Sequence, residues 1–226
     1  MRKVVLIGCG SVGTAFAYSL VNQDFVTELV LIDANHEKAV GEAMDLMHGM
    51  AFAATNLRVI AGDYNDCKDA RIVVITAGAN QKPGETRLQL VERNTKIMQS
   101  IIQQVIKSGF NGNIVIASNP VDVLSYIAWK ESGLPAGRVI GSGTTLDSAR
   151  FRVLLGEYFE VDPRNVHALI IGEHGDSELP VFSQASIGVE TLDNLLERRN
   201  NHADKDNLKV IFNAVREAAY EIINRK

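Results

Sequence analysis

The sequence has little cysteine, no excess of positive charge and no long apolar run, and each shortage removes a class of function. Of 226 residues only Cys9 and Cys67 carry thiols, in no metal-binding spacing. Two thiols allow one disulfide on paper, but so few in a chain this long fit a reducing compartment. A formal net charge of −4 supplies no basic field, which argues against nucleic-acid and membrane-surface partners. A local basic pocket for an anionic metabolite is still allowed. Met1-Arg2-Lys3-Val4-Val5-Leu6-Ile7 opens like a signal peptide, yet its apolar run stops at Gly8, too short for an h-region. No run approaches the length of a transmembrane helix. Nor is there a repeat, a low-complexity segment or a long linker. The expectation is a soluble, cytoplasmic protein that holds no metal.

What is present is ordinary globular composition, 46% hydrophobic and 22% charged, enough for one large domain or two small ones. Val4 to Ile7, Leu29 to Ile32, Leu57 to Ile60, Ile72 to Ile75 and Ile114 to Ala117 read as strands. They are rich in β-branched residues and apolar on both faces, as central parallel strands are. Between them lie helical stripes: Val40, Ala43, Met44 and Met47, then Val91, Met98, Ile101, Ile102 and Val105, the latter closed by Gly109. Strand–helix–strand repetition implies right-handed crossovers and a doubly wound parallel sheet, an α/β fold.

Beyond Gly141 the pattern changes. A helix over Leu146 to Phe159 is followed by the apolar run Val166 to Ile171 and an alternating stretch from Leu179 to Ile187. A last helix begins near Ala203 with the stripe Leu208, Ile211, Val215, Ala218 and Ile222. Residues 1–141 therefore read as a nucleotide-binding domain and 142–226 as an α+β substrate domain. The sequence stops at Lys226, directly after a helical pattern with no turn or cap signal. The second domain is expected to be incomplete at its C-terminus.

Gly8-Cys9-Gly10-Ser11-Val12-Gly13 follows the first strand and opens a helix, and Asp33 ends the next strand. A G-x-G-x-x-G run is weak alone. With strand, helix and an acidic residue about twenty positions on, it is the dinucleotide fingerprint of a Rossmann-type sheet. Gly8 makes the tight turn, Gly10 lets the backbone approach a pyrophosphate, and Gly13 lets helix and strand pack closely. The helix N-terminus then faces the phosphates. Asp33 should accept hydrogen bonds from the ribose and repel a 2′-phosphate, which favours NAD over NADP. The alternative is a tight strand–helix turn with no ligand.

His174 stands between small and acidic residues in Ile171-Gly172-Glu173-His174-Gly175-Asp176, and imidazole titrates near working pH. His36, His48 and His202 read as surface. Asp147 and Arg150 are three apart in Thr144-Thr145-Leu146-Asp147-Ser148-Ala149-Arg150 and share a helix face. Spacing alone favours an intrahelical salt bridge on a solvated surface. Gln81-Lys82-Pro83-Gly84-Glu85-Thr86-Arg87 follows the strand Ile72 to Ile75, where ligands bind in open α/β sheets, and is either a lid or a plain surface loop. Asn119, after the strand Ile114 to Ala117, is a candidate of the same kind or a turn residue before Pro120.

Taken together, Gly8 to Gly13, Ala77 to Arg87, Ala117 to Asp122, Gly141 to Arg152 and Ile171 to Pro180 resemble the L-lactate/L-malate dehydrogenase family, its bacterial lactate branch most closely. The resemblance runs over essentially all 226 residues. It implies reversible hydride transfer between NADH and pyruvate, giving L-lactate, the last step of lactate fermentation. It implies His174 as proton donor and acceptor, and Asp147 as the partner of its other ring nitrogen. Arg150 would fork the substrate carboxylate, Arg87 would polarise the ketone from a closing loop, and Asn119 would hydrogen-bond the same oxygen. Val12, Lys38, Tyr64, Gly78, Ala79, Ala117 and Ser118 match positions that line the NAD site in relatives. Gln81 selects the branch, because malate dehydrogenases carry an arginine there for a second carboxylate. Arg152 and His167 match residues by which many bacterial relatives bind fructose 1,6-bisphosphate between subunits of a homotetramer; the alternative is two ordinary cationic-capable residues. Relatives continue past Lys226 with a substrate-contacting threonine, a long helix and further strands. A malate or other 2-hydroxy-acid dehydrogenase, and a catalytically silent NAD-binding fragment, stay open as alternatives.

Overall fold

The computed structural model describes residues 2–79, 84, 86–201 and 204–225. The chain folds as two compact units, Met1–Gly141 and Ser142–Lys226.

The first unit alternates strands and helices: β1 (Lys3–Ile7), α1 (Ser11–Val21), β2 (Glu28–Ile32), α2 (His36–Gly49), β3 (Arg58–Ala61), β4 (Ile72–Ile75), α3 (Arg87–Lys107), β5 (Asn113–Ile116), α4 (Val121–Ser132) and β6 (Val139–Gly141). Its six strands are parallel, in the order β3-β2-β1-β4-β5-β6. The two-residue period of a strand explains the helices on both faces. Val5 and Ile7, with Val30, Ile32, Val73, Ile75, Ile114 and Ile116, pack under Met98, Ile102 and Val105 of α3 and Leu124 of α4. Val4 and Leu6, with Leu29, Leu31 and Val59, pack under Ala17 and Leu20 of α1 and Ala39 and Ala43 of α2. The strand order reverses between β1 and β4, and in such sheets the carboxyl ends at the reversal form the ligand crevice.

α3 starts where its local chemistry allows. Thr86 Oγ1 accepts from Gln89 N–H (3.2 Å) while Gln89 Oε1 accepts from Thr86 N–H (2.9 Å), a reciprocal cap. Some elements pass unnoticed in the sequence. α4 and the later helix over Leu192–Arg199 have short or mixed apolar patterns, and β6 is three residues long.

The second unit holds α5 (Thr145–Phe159), β7 (Val166–His167), β8 (Ile170–Ile171), β9 (Leu179–Pro180), β10 (Ser186–Ile187), β11 (Glu190–Thr191), α6 (Leu192–Arg199) and α7 (Asp204–Asn224). Its core joins Phe151 and Leu155 of α5 to Val166, Ile170, Leu192, Leu208 and Val215. The apolar run Val166 to Ile171 is not one buried strand. Residues 166, 168 and 170 are buried while 167, 169 and 171 are exposed, and the run divides between two sheets: β7 pairs β10 and β8 pairs β9. The stripe on α7 is covered over Leu208 and Val215 but open at Ile222. Buried Asp204 ties the helices together, accepting from Tyr158 Oη (2.5 Å), Asn201 Nδ2 (2.8 Å) and Arg199 Nε (3.3 Å). Among the described residues, no helix is long and apolar enough to cross a membrane.

Candidate active site

In the first unit the loop after β1 is built by its glycines. Gly8 has φ +106, and a Cβ there would meet Ala77 N at 2.5 Å; a Cβ on Gly13 would sit 2.0 Å from Gly8 O. Thr76 Oγ1 donates to Gly8 O at 2.7 Å, fastening this loop to the end of β4. Among the described residues, a Cβ on Gly10 would meet nothing within 4 Å, so they leave the space over the N-terminus of α1 open. No side chain among the described residues caps that terminus. Unpaired helix N–H groups facing open space suit a phosphate.

A cavity of about 770 Å³ runs from this loop along the sheet edge. Gly8, Gly10, Asp33, Lys38, Tyr64, Gly78 and Ala79 line it, as do Arg93, Lys96, Ser100 and Gln104 of α3. Those four recur at helical spacing, but the sequence reading followed only the apolar positions of that helix. Asp33 is fixed at both oxygens, Oδ2 accepting from Cys9 N–H (2.7 Å) and Oδ1 from Asn35 N–H (2.9 Å). Val12 is exposed on the first turn of α1, and Gly13 is buried beneath it. Ala117, Ser118 and Asn119 lie at the end of β5, outside the lining. Ser118 Oγ donates to Ala77 O at 2.7 Å. Asn94, 3% exposed, braces the rim: its Oδ1 accepts from Ala79 N–H (2.8 Å) and its Nδ2 donates to Asn119 O (3.2 Å). Neither cysteine offers a nucleophile. Burial pushes the Cys9 thiol up to about 11 and the Cys67 thiol up to about 12, and both are free thiols.

In the second unit α5 presents Asp147 and Arg150 on one face. Its first turn is pinned to β8: Thr144 Oγ1 donates to Ile170 O (2.6 Å), and Ser148 Oγ accepts from Ile170 N–H (2.9 Å). The β8–β9 hairpin then turns through Gly172 (φ +99) and Gly175 (φ +129), conformations that favour glycine, and carries His174 to Asp147. His174 Nδ1 lies 2.6 Å from Asp147 Oδ2, and Arg150 Nη1 donates to Asp147 Oδ1 at 3.1 Å. Asp147 is only 2% exposed, so this is not the solvated surface bridge that spacing suggested. Arg150 Nε is buried with no hydrogen-bond partner among the described residues, a donor that an anionic substrate would satisfy. Such a triad can hold an imidazole in one tautomer and support its charged form.

Glu178, four residues after His174, escaped the sequence reading. It is buried, and its carboxylate clusters with Asp147 and His174, the three donor atoms within 4.8 Å of one another. That spacing could hold a cation, but the Arg150 guanidinium already bound to Asp147 opposes one. Arg152 is half-buried on α5, with Nη2 donating to Pro163 O (3.3 Å), and His167 is exposed on β7. Gln81 and the side chain of Arg87 lie outside the described residues; Arg87 begins α3. His36 and His48 are exposed, and His202 is outside the description.

Residues 2–141 match the lactate/malate dehydrogenase NAD binding domain, and residues 144–226 match the lactate/malate dehydrogenase alpha/beta C-terminal domain. The whole chain is 58% identical to L-lactate dehydrogenase 2 of Bacillus cereus and to its namesake in Bacillus anthracis, covering 72% of each relative. A crystal structure of the minor L-lactate dehydrogenase from Enterococcus mundtii, in the ligands-bound form, superposes with a TM-score of 0.96 at 50% identity. That match covers 99% of this chain and 71% of the other. A lactate dehydrogenase from a Medee basin deep-sea metagenome library gives 0.94 at 53% identity, covering 100% and 72%. With an NAD-binding sheet in one unit, a buried Asp–His–Arg group in the other and relatives matched along its entire length, the chain belongs to the lactate/malate dehydrogenase family, among its L-lactate dehydrogenases.

Proposed function

We propose that this chain catalyses the reversible reduction of pyruvate to L-lactate with NADH, and that His174, Asp147 and Arg150 are its proton-transfer and carboxylate-binding groups. One observation carries the assignment of residues: the 2.6 Å contact between His174 Nδ1 and a buried Asp147. Gly8, Gly10, Asp33, Lys38 and Tyr64 would hold the dinucleotide, with its pyrophosphate at the N-terminus of α1. Bound there, it supplies or accepts the hydride.

The protein's part is charge and proton placement. Asp147 accepts a hydrogen bond from Nδ1–H of His174, which fixes the tautomer and, through its negative charge, favours the imidazolium. His174 then gives a proton from Nε2 to the ketone oxygen in reduction and takes it back from the hydroxyl in oxidation. Arg150 spends one nitrogen on Asp147 and keeps the edge bearing Nε for the substrate carboxylate. Arg87 for polarising the ketone, Asn119 for the same oxygen and Gln81 beside the substrate's side chain are assigned from the resemblance. The same holds for Arg152 and His167 as a fructose 1,6-bisphosphate site within a homotetramer. An Arg152 Nε without a partner among the described residues and an exposed His167 are compatible with that role. Two free thiols fit a cytoplasmic setting.

Substrate choice tests the reading. Gln81 gives no counter-charge to a second carboxylate, so kcat/KM with NADH should be higher for pyruvate than for oxaloacetate. Gln81→Arg should swing the ratio toward oxaloacetate by about a thousandfold, the worth of a charge pair in a water-poor site. An unsubstituted chain that prefers oxaloacetate overturns the lactate assignment.

A further inference from the structure

Glu178 has no place in the mechanism above, yet few carboxylates are so enclosed. It is 4% exposed, and its Oε1 is buried without a hydrogen-bond partner among the described residues. The Gly175 N–H serves its carboxylate, and the Asp147 carboxyl lies against it. One oxygen of Glu178, one of Asp147 and one ring nitrogen of His174 fall within 4.8 Å of each other. A buried carboxylate with a spare oxygen is costly unless a nearby charge uses it. The cation in this cluster besides Arg150, which is bound to the other side of Asp147, is protonated His174.

We propose that Glu178 is a positioning residue that acts on His174 as a second carboxylate, holding the catalytic proton on the imidazole jointly with Asp147. This rests on the reading of His174 as the proton donor and acceptor. The charged groups that bear on Glu178 come from two elements: Asp147 from α5, which carries Arg150 on its other oxygen, and His174 from its own hairpin. Glu173 and Asp176 of that hairpin are exposed, and Asp176 faces Arg216 of α7 at 3.8 Å.

Burial first, then the Asp147 charge, pushes the Glu178 carboxyl up from its ordinary range, while His174 pulls it back. A charged His174 therefore favours ionised Glu178, and by the same coupling an ionised Glu178 favours a charged His174. As pH rises and Glu178 loses its proton, its new negative charge strengthens the hold of His174 on its own. The imidazolium, the form that pyruvate reduction consumes, then persists to higher pH than Asp147 alone would allow. As pH falls, Glu178 is neutralised and its hold on the imidazole is released. The device widens the range in which the proton donor is loaded.

The test is a histidine NMR titration of the full chain, with the His174 resonance assigned by its loss in His174→Asn. Glu178→Gln keeps the shape and removes the charge. It should lower the His174 midpoint by about half a unit to two and a half units, the effect of one charge at 4.8 Å for effective dielectrics from about 80 to about 20. Glu178→Asp keeps the charge and should hold the midpoint above that of the glutamine variant. An unchanged midpoint in Glu178→Gln overturns the proposal, as does an equal fall in both variants, which marks lost packing. In parallel, the pH profile of pyruvate reduction should lose its alkaline side by the same amount. A midpoint that moves while the profile does not leaves Glu178 coupled to His174 and instead removes His174 from the reaction.

Discussion

Asp33 is set in position by the backbone before any ligand arrives, one oxygen on Cys9 N–H and the other on Asn35 N–H. A carboxylate fixed at the rim of the cavity cannot swing away from a ribose phosphate. NADH should therefore bind at least about a hundredfold more tightly than NADPH, the cost of a like-charge contact of a few kcal/mol. Fluorescence titration with each cofactor measures this, and equal affinities would remove Asp33 from the ribose. Residues of this kind were legible because strand end, spacing and residue type coincide. Asp147 and Arg150 were legible only as a pair. Their three-residue spacing announces the contact, but burial is conferred by the β8–β9 hairpin more than twenty residues on, which spacing within one helix cannot reveal. Glu178 gave no signal at all, since its enclosure exists only once that hairpin has turned back onto α5.

Among the elements, the loop between β1 and α1 separates structural from functional glycine. A Cβ at position 13 would collide with Gly8 O, whereas one at position 10 points into open space. Gly13→Ala should cost about 1–3 kcal/mol in urea unfolding, as overpacking does, and weaken NADH binding with it. Gly10→Ala should leave the unfolding curve nearly unchanged and still weaken NADH binding, because the methyl stands where the pyrophosphate would approach. Equal stability loss in both would contradict the distinction. The parallel strands were readable because burial on both faces makes them continuously apolar. Val166 to Ile171 is as continuously apolar but is not a central strand. Its exposed partners, Leu169 and Ile171, are apolar too, so a half-covered strand pair imitates a central one. α4 opens at Pro120 without a side-chain cap, and the two-residue strands of the second unit are shorter than any periodicity can register.

For the whole molecule, the strand order β3-β2-β1-β4-β5-β6 and the two-unit division carry the family's architecture over a chain that spans about 72% of its relatives' length. If Arg152 and His167 bind an effector between subunits, fructose 1,6-bisphosphate should lower the KM for pyruvate and raise the tetramer fraction in sedimentation. Replacing both residues by alanine should remove both responses, and an unaltered KM at saturating effector counts against the site. The measurement that bears most directly on the proposed chemistry is pyruvate-dependent NADH oxidation by the chain and by its His174→Asn variant, with NADH affinity measured for each. The expected result is oxidation that requires pyruvate and falls by about a thousandfold in the variant, the usual worth of a positioned acid–base group, with NADH affinity unchanged. The contradicting result is no pyruvate-dependent oxidation in the unsubstituted chain, or the same rate after His174 is replaced.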